Sequence, residues 1–394
     1  GFLERIGKLP ARLGNLDNAR VIWIHAVSVG EVLAICGLVE QIRRTLRQHR
    51  VVVSTTTDTG QDLARKRFGP ENVFYFPMDF ALAIRSYLRA LNPELVVLAE
   101  TEFWPNFLRF VHASGSRLAV VNARISDRSL PRYRRYTWAL RKMLAHVDLF
   151  LAQTEQDRTR LESIGADPAR IQVTGNLKFD VSLPSPPPIV ESLRKSLASE
   201  GARPVLVCGS TVDDEEAPLL KAFENLRVSH PRAVMILAPR HPERFDSVAA
   251  LLQQMGISSH RRSNWRGEPL AGGVLLVDTI GELASLYGLA DIAFVGGSLV
   301  PRGGHNIIEP AQHGVATVTG NHTENFRDIV GLFQSRDAVR IVGLAELPLT
   351  LMQLADNDAE RAALGRRAKE TIESQTGATS RTMDSLKTLL AQKP

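Results

Sequence analysis

Cysteine is scarce in this chain, with two residues among 394, and both Cys36 and Cys208 lie within apolar runs. Two thiols cannot build a disulfide framework, and no paired Cys and His spacing indicates zinc. Long apolar runs are also missing, since none reaches the roughly 18 residues that span a bilayer, and no signal peptide pattern is present. We therefore interpret the cysteines as buried structural thiols of a protein that folds in a reducing compartment. The chain opens on Gly1 without an initiator methionine, so we expect an N-terminal piece to be missing.

The charge balance leans basic, because 48 Lys and Arg against 42 Asp and Glu give a formal net charge of +6. This charge permits anionic partners such as acidic lipid, phosphorylated substrates or nucleic acid. Hydrophobic residues make up 44% and charged residues 23%, which excludes disorder as a general description. At about 150 residues per domain, the length predicts two domains as the first expectation.

Short apolar runs alternate with longer amphipathic stretches along the whole chain, which is typical of strands buried on both faces of a parallel sheet. The predicted strands are Val21–Ala26, Val51–Thr55, Val73–Phe76, Leu95–Ala99, Leu118–Val121, Leu149–Ala152, Pro204–Cys208, Ala233–Ala238, Val274–Val277, Ile292–Val295, Ala316–Val318 and Val339–Val342. Helical patterns separate them, for example Glu31–Arg47 and Arg128–Ala145. The alternation predicts an α/β fold of doubly wound sheets.

Four prolines within Ser182–Pro188 divide this pattern, because such a segment cannot continue a helix or a sheet. We predict two Rossmann-like domains that face each other across a cleft. The predicted boundaries are residues 1–181 for the N-terminal domain, 182–190 for the Pro-rich linker, 191–357 for the C-terminal domain and 358–394 for a helical tail. Ligands of such sheets bind at the carboxyl ends of the strands, so functional residues should follow strands directly.

Acidic residues follow two predicted strands of the first half. Glu31 begins a helix after the turn at Gly30, where the helix dipole favours a carboxylate; we expect it to stay ionised at neutral pH and to serve as a general base. An ordinary charge at a helix start is the alternative, and His25 is interpreted as a packed strand-end residue. Glu100 and Glu102 flank one threonine and should point the same way, although surface acids at a helix start would look the same.

Cationic and glycine-rich segments follow later strands. Lys178 precedes the linker, and Arg240 follows a strand with a guanidinium suited to phosphate or carboxylate. Residues 209–211 could add backbone and hydroxyl donors. In Gly296–Pro310, a glycine loop leads into a helix expected from Asn306, which predicts an anion site without a metal, with an ordinary turn as the alternative. The segment is no Walker loop, and a dinucleotide fingerprint does not follow the first strand.

A basic and aromatic stretch lies between predicted strands in the first half. It comprises Arg132, Tyr133, Arg134, Arg135, Tyr136, Trp138, Arg141 and Lys142. These side chains would suit an anionic membrane surface, where Arg can bind lipid phosphates while Tyr lies at the depth of the headgroups. A solvated helix face is the alternative, and nucleic acid is disfavoured because no stacking platform or reading motif accompanies the patch.

Six motifs, in this order, resemble the 3-deoxy-D-manno-octulosonic acid (Kdo) transferases, GT-B glycosyltransferases of Gram-negative lipopolysaccharide assembly. The motifs are S-V-G-E at 28–31, E-T-E-F-W-P-N at 100–106, N-A-R-I-S at 122–126, G-N-L-K-F-D at 175–180, P-R-H-P-E-R at 239–244 and G-G-S-L-V-P-R-G-G-H-N-I-I-E-P at 296–310. The resemblance implies transfer of Kdo from CMP-Kdo to a lipid A precursor (lipid IVA) at the cytoplasmic face of the inner membrane, with inversion and without metal or cofactor. We expect the family's N-terminal hydrophobic anchor to be missing from this sequence together with the N-terminal piece.

The same resemblance assigns roles by position. Glu31 would be the general base, and Glu100 and Lys178 would stabilise the transition state. The N-terminal domain would hold the acceptor and the C-terminal domain the CMP-sugar. The CMP contacts would be Pro239, Arg240, Ile280, Gly281, Glu282, Asn306, Ile307, Ile308 and Glu309.

Two other hypotheses remain open at this point. A GT-B enzyme could use another nucleotide sugar, such as a heptose or N-acetylglucosamine donor. A non-catalytic basic protein could dock on anionic membranes or nucleic acid, with steep salt dependence and no turnover. Acids placed at strand ends argue against docking alone, because docking on an anion does not need them.

Overall fold

The computed structural model describes residues 1–13, 20–127, 129–180, 183 and 185–392. The chain forms two compact units, one made of Gly1–Ser182 and Gln375–Pro394, the other of Leu183–Ser374. Within the described ranges, no helix is both long enough and apolar enough to cross a bilayer. Of the predicted linker, Ser182 and Pro184 lie outside the described residues.

The first unit is built on a parallel sheet of seven strands in the order β3-β2-β1-β4-β5-β6-β7. Its strands are β1 Arg20–His25, β2 His49–Thr55, β3 Val73–Tyr75, β4 Pro93–Ala99, β5 Arg117–Ala123, β6 Leu149–Ala152 and β7 Ile171–Val173. Its first eight helices are α1 Phe2–Arg5, α2 Val29–Thr45, α3 Asp58–Phe68, α4 Ala81–Leu91, α5 Pro105–Ala113, α6 Leu130–Arg135, α7 Thr137–Leu144 and α8 Glu155–Ser163.

Two apolar cores cover the two faces of this sheet. Side chains of α4, α5 and α7 share one core with β1 and β4, whereas side chains of α2 and α3 share the other. The connections therefore change direction between β1 and β4, the strands that lie side by side at the middle of the sheet. Such a switch point is where doubly wound sheets bind ligands, beyond the carboxyl ends of the strands.

The second unit repeats this plan with seven parallel strands in the order β10-β11-β9-β8-β12-β13-β14. Its strands are β8 Val205–Thr211, β9 Val234–Pro239, β10 Ser259–Arg261, β11 Val274–Leu276, β12 Ile292–Val295, β13 Ala316–Gly320 and β14 Arg340–Val342. Its helices are α9 Pro188–Glu200, α10 Glu216–Ser229, α11 Phe245–Gln254, α12 Leu283–Leu286, α13 Ile308–Gln312, α14 Arg327–Ser335, α15 Leu347–Asp356 and α16 Asp358–Glu373. The switch point lies between β8 and β12.

The twelve predicted strands are all present, and the α/β class is confirmed. The sequence pattern missed β7 and β10, which are three residues long and carry Gln172 or His260 at their centres. The helix predicted over Arg128–Ala145 is wrong as one element, because α6 and α7 are separated at Tyr136, and Arg128 lies outside the described residues. Cys208 is buried and Cys36 half-buried, both as free thiols.

The predicted helical tail is divided between the two units. Helix α16 packs on the second unit, while a last helix, α17 (Ala378–Ala391), packs on α2 of the first. Asp180 fixes this return, because its carboxylate accepts the backbone N–H groups of Gly377 at 2.7 Å and Thr379 at 2.5 Å. At the other boundary, α9 already begins at Pro188, inside the stretch predicted as linker, since proline is tolerated in the first turn of a helix.

Candidate active site

Glu31 lies in the first turn of α2, just beyond the carboxyl end of β1. Its carboxylate accepts the backbone N–H of Val27 at 2.8 Å and the hydroxyl of Ser28 at 3.0 Å. A glutamate that reaches back from the first turn is a variant of the capping box, which accounts for its fixed orientation. Each oxygen still has a second lone pair, so the carboxylate can accept a further proton or hydrogen bond.

The protonation of Glu31 differs from the sequence-based expectation. Burial raises the pKa of its carboxyl to about 7, and the nearby carboxylates of Glu100 and Glu102 add to the increase. The expectation that the helix dipole keeps Glu31 fully ionised at neutral pH is therefore wrong, because loss of water outweighs the dipole and the two hydrogen bonds. A carboxyl with a pKa near 7 is suited to exchange protons with a substrate at neutral pH.

Glu100 and Lys178 form a pair in the same unit, with Lys178 Nζ 3.2 Å from Glu100 Oε1. Arg124 Nε approaches the other oxygen of Glu100 at 3.8 Å. Glu102 instead accepts a hydrogen bond from Trp104 Nε1 at 3.1 Å, and burial raises the pKa of its carboxyl. Glu100 therefore lies between two cations, whereas Glu102, two residues later, does not share them.

The backbone that holds this pair is unusual at two strand ends. Glu100 and Asn122 have φ angles of 58° and 53°, a left-handed conformation that is uncommon for residues other than glycine. Such conformations persist where the surroundings fix them and are concentrated at functional sites. The Asn122 side chain accepts the N–H of Leu177 at 3.0 Å, and Asn176 accepts that of Lys178 at 3.0 Å. These bonds place Lys178 beside Glu100.

His25 is a packed residue, as predicted. Its ring is fully buried and stacks on Phe76 with centroids 3.8 Å apart. Its Nδ1 lies 3.0 Å from the hydroxyl of Ser54, and burial lowers the pKa of the ring to about 3. The imidazole is therefore neutral at physiological pH and part of the core.

In the second unit, Arg240 and Glu309 lie close enough for the guanidinium to lower the pKa of the Glu309 carboxyl, although burial raises this pKa more strongly. Asn306 Nδ2 donates a hydrogen bond to Glu309 Oε1 at 3.4 Å, and Asn306 Oδ1 accepts the N–H of Ile308 at 3.1 Å. Pro239 ends β9, and Arg240 is exposed immediately after it. These predicted nucleotide contacts thus gather beyond the carboxyl ends of the middle strands.

The glycine-rich loop differs from the sequence-based expectation in two respects. Helix α13 begins at Ile308 and has only five residues, so a helix dipole from Asn306 is weak. The backbone N–H groups of Gly297, Ser298 and Leu299 are already bound to the Glu215 carboxylate. An anion can therefore approach the later part of this loop, around Gly303–Asn306, rather than its beginning.

The predicted contacts Ile280, Gly281 and Glu282 lie on a different loop, between β11 and α12. Ile280 is 70% exposed, and Glu282 forms an ion pair with Arg262 at 2.6 Å and accepts the Thr279 hydroxyl at 2.6 Å. Leu283 and Tyr287 of the following turns contact Gly209, where any Cβ would lie 2.1 Å from the Tyr287 hydroxyl. The loop thereby borders the end of β8.

Sequence reasoning missed three residues of these clusters. Asn122 and Arg124 belong to one of the motifs of the resemblance. Arg124 contacts Glu100 and Asn122 contacts Leu177, and because these partners are distant in sequence, the motif alone does not show the contacts. Glu215 is one of four consecutive acids, Asp213–Glu216, where α10 begins, and the sequence gives no signal for which of them turns toward the loop. Within the described residues, no group of three His, Cys, Asp or Glu side chains could hold a metal ion.

Comparisons with known proteins identify the family of this chain. The profile of the family described as 3-Deoxy-D-manno-octulosonic-acid transferase (kdotransferase) matches residues 1–181. A 3-deoxy-D-manno-octulosonic acid transferase of Bordetella pertussis is 38% identical over 96% of this chain and 90% of its own length. That of Haemophilus influenzae is 34% identical over 97% of this chain and 91% of its own length.

Among solved structures, the UDP-GlcNAc 2-epimerase of Neisseria meningitidis bound to UDP-GlcNAc superposes with a TM-score of 0.61, covering 94% of this chain and all of that one. At 13% identity this similarity shows the fold alone, which is of the GT-B type. The two curated relatives decide the family, because both are more than 30% identical across nearly their whole length. The chain belongs to the Kdo transferases, glycosyltransferases of lipopolysaccharide biosynthesis.

Proposed function

We propose that this protein transfers Kdo from CMP-Kdo to a lipid A precursor (lipid IVA), with inversion and without a metal ion. The observation that carries the proposal is Glu31, a buried carboxyl with a pKa of about 7 at the switch point of the first sheet. It would take the proton from the acceptor hydroxyl while that oxygen bonds to the anomeric carbon of Kdo and CMP departs. A base on the face opposite the leaving group inverts the centre, as in inverting glycoside hydrolysis with an alcohol in place of water.

Glu100 and Lys178 would stabilise the transition state. The Lys178 ammonium, which pairs with Glu100, supplies a positive charge on a half-buried side chain, and Glu100 in turn acts on the pKa of Glu31. A cation is useful to a departing anionic group or to the carboxylate of Kdo, and fixed charges of this kind act without reorganisation. Glu100 would hold the lysine in place and tune the base, since its charge raises the pKa of Glu31.

The second unit would bind the CMP moiety. Arg240 offers a guanidinium suited to the phosphate, and the N–H groups of Gly303, His305 and Asn306 would add dipolar stabilisation. Glu309 lies beside Asn306 and could accept hydrogen bonds from the ribose. Pro239 would provide a stiff support before Arg240, while Ile280–Glu282, Ile307 and Ile308 would line the nucleotide as the resemblance implies.

A lipid acceptor is supported by an exposed apolar surface on the first unit, which we call the apolar rim. It consists of Phe2, Leu3, Ile6, Met78, Phe80, Leu82 and Trp104, exposed by 36% to 79%. Met78 donates its N–H to the carbonyl of Arg5 at 2.7 Å, and the Arg5 side chain bonds the carbonyl of Thr56, beside the Val27 turn. Because Val27 also binds Glu31, a series of hydrogen bonds connects the rim with the proposed base, and we propose that the rim receives the acyl chains.

An anionic membrane surface is supported by four of the helices that cover one face of the first sheet. A fifth helix, α8, contributes Leu161 to the same core but carries Glu155, Asp157 and Glu162. Helices α4, α5, α6 and α7 contain two, one, three and two Lys or Arg residues, which makes eight, and no Asp or Glu. Trp138 and Tyr136 are 72% and 51% exposed among these cations. Exposed aromatic residues among cations are suited to the headgroup region, so we propose that this helical face rests on the cytoplasmic side of the inner membrane.

We expect a double variant, Arg135→Gln with Arg141→Gln, to bind vesicles containing phosphatidylglycerol about 30-fold more weakly, because each cation near an anionic surface contributes about 1 kcal/mol. Vesicle sedimentation measures this. The matched control is Arg194→Gln with Lys195→Gln on α9, two exposed cations of the second unit, which should bind as the unmodified chain does. Equal binding of the unmodified chain to neutral and anionic vesicles would contradict the membrane proposal.

Incubation with CMP-Kdo and tetraacyl lipid A precursor, followed by mass analysis, tests the function directly. The expected result is a product heavier by one or more Kdo residues. A parallel series with UDP- and ADP-sugars distinguishes the alternative donors. Consumption of one of these, with CMP-Kdo untouched, would refute the proposed donor.

The rate of transfer should depend on pH through Glu31. Because its pKa is about 7, the carboxyl is protonated below that pH and cannot accept the hydroxyl proton. We expect kcat/KM to rise as pH increases through about 7 and then to level off. Initial rates between roughly pH 5.5 and 8.5 measure the curve, and a flat profile or one that falls with rising pH would remove Glu31 as the base.

A further inference from the structure

Glu215 is a completely buried carboxylate at the start of α10, and four backbone N–H groups donate to it. Its Oε1 accepts from Ser298 and Leu299, each at 2.8 Å. Its Oε2 accepts from Gly297 at 2.7 Å and Val212 at 3.1 Å. Burial of a carboxylate is costly, and several hydrogen bonds from backbone N–H groups are what makes it tolerable.

Three of these four donors belong to the glycine-rich loop after β12, more than eighty residues away in sequence. The carboxylate therefore occupies the position that a bound anion would take in a nest of consecutive N–H groups. Gly296 shows how closely the two loops meet, because a Cβ there would lie 2.7 Å from the Ser210 carbonyl oxygen and 2.8 Å from Glu215 Oε2.

The effect of Glu215 extends to the proposed nucleotide contacts. Gly297, held by Glu215, accepts the N–H of Gly304 at 2.7 Å, and its α-carbon packs against the ring of His305. Both residues directly precede Asn306. On the other side, the carbonyl of Thr211, the last residue of β8 and the neighbour of Val212, accepts the N–H of Arg240 at 2.8 Å. One carboxylate thus ties together the segments that carry Arg240 and Asn306.

We infer that Glu215 is a positioning residue for the donor nucleotide: it fills the nest at Gly297–Leu299 and sets Gly303–Asn306 and Arg240 at the places where the phosphate binds. The inference rests on the proposed function for the identity of the nucleotide. It gives Glu215 no contact with the donor, whose phosphate is excluded from the amides that the carboxylate already holds.

Substitution of Glu215 by Gln tests this inference, because the amide keeps the shape but turns an NH₂ group toward two N–H donors. Loss of one charge-assisted hydrogen bond should raise the Kd for CMP about tenfold and the KM for CMP-Kdo by the same factor. The KM for the acceptor should not change. Calorimetry measures the first and initial rates the others. Glu215→Asp, which keeps the charge on a shorter side chain, should recover part of the affinity.

The matched control is Glu200→Gln in the same unit. The Glu200 carboxylate also binds two backbone N–H groups, those of Leu270 and Ala271, each at 2.7 Å, but these belong to a loop outside the proposed site. This variant should lose stability without losing affinity for CMP. An equal loss of affinity in both variants, or unchanged affinity in Glu215→Gln, would overturn the inference.

Hydrogen exchange of the unmodified chain decides the matter if Glu215→Gln fails to fold. The amides of residues 297–299 and of Gly304 should be protected with and without CMP, whereas CMP should add protection at Gly303, His305 and Asn306. Exposed amides at 297–299 in the free protein, protected only by CMP, would contradict the inference. If the chain binds another nucleotide and not CMP, the donor proposal fails, and the same comparison with that nucleotide still tests Glu215.

Discussion

Replacing Glu31 with Gln is expected to lower kcat for Kdo transfer by about 10³-fold while the Kd for CMP stays unchanged. Glutamine has nearly the same shape and can still accept the N–H of Val27, but it cannot take a proton from the acceptor hydroxyl. The proposed base and the proposed nucleotide contacts belong to different units of the chain, so the loss should be confined to turnover. Rates under saturating donor, with calorimetry for CMP, measure both quantities.

The stability of this variant separates catalysis from folding. At pH 8 the buried Glu31 is ionised, and a pKa raised from 4.5 to about 7 costs the folded state on the order of 3 kcal/mol, a cost that vanishes below pH 4.5. Glu31→Gln removes this cost, so its melting temperature at pH 8 should equal or exceed that of the unmodified chain. The control is Glu40→Gln, an exposed position on the same helix, which should change neither rate nor stability. A loss of CMP binding with transfer intact would contradict the proposed division of roles.

The position of the candidate site could be predicted from the sequence because parallel strands bring their carboxyl ends to one edge. Glu31, Glu100, Arg240 and the glycine-rich loop each follow an apolar run, and the sheet order then gathers them at two switch points. That part of the prediction needs only the alternation of strands and helices.

The electrostatics could not be predicted in the same way, because they depend on contacts distant in sequence. The pKa of Glu31 depends on its burial beside Glu100 and Glu102, seventy residues later, and this outweighs the local helix dipole that the sequence shows. The Glu215 contacts with Gly297–Leu299 and the Asp180 contacts with the start of α17 are of the same kind. In these last two cases a carboxylate satisfies backbone N–H groups of a distant segment that no local pattern connects with it.

Substitution of Glu100 by Gln should change both the maximum rate and the pH at which the rate rises. A simple loss of stability would lower the maximum rate without shifting the acid limb. The negative charge of Glu100 raises the pKa of Glu31, so its removal should move the acid limb of kcat/KM to lower pH. The same change removes the ion pair between Lys178 Nζ and Glu100 Oε1, which are 3.2 Å apart. Because the cation is then no longer held in place, the maximum rate should fall by about 10²-fold. Initial rates across the pH range measure both effects on one preparation.

Glu102→Gln provides the matched control for this prediction. Its carboxylate also raises the pKa of Glu31, as the weakest of the causes, but it bonds Trp104 rather than Lys178. The acid limb should therefore move slightly in the same direction, with the maximum rate nearly unchanged. Because the two variants share the charge change and differ in the lysine contact, an equal loss of maximum rate in both would assign the loss to charge alone. A Glu100→Gln profile that keeps the full maximum rate would remove Glu100 and its hold on Lys178 from the mechanism.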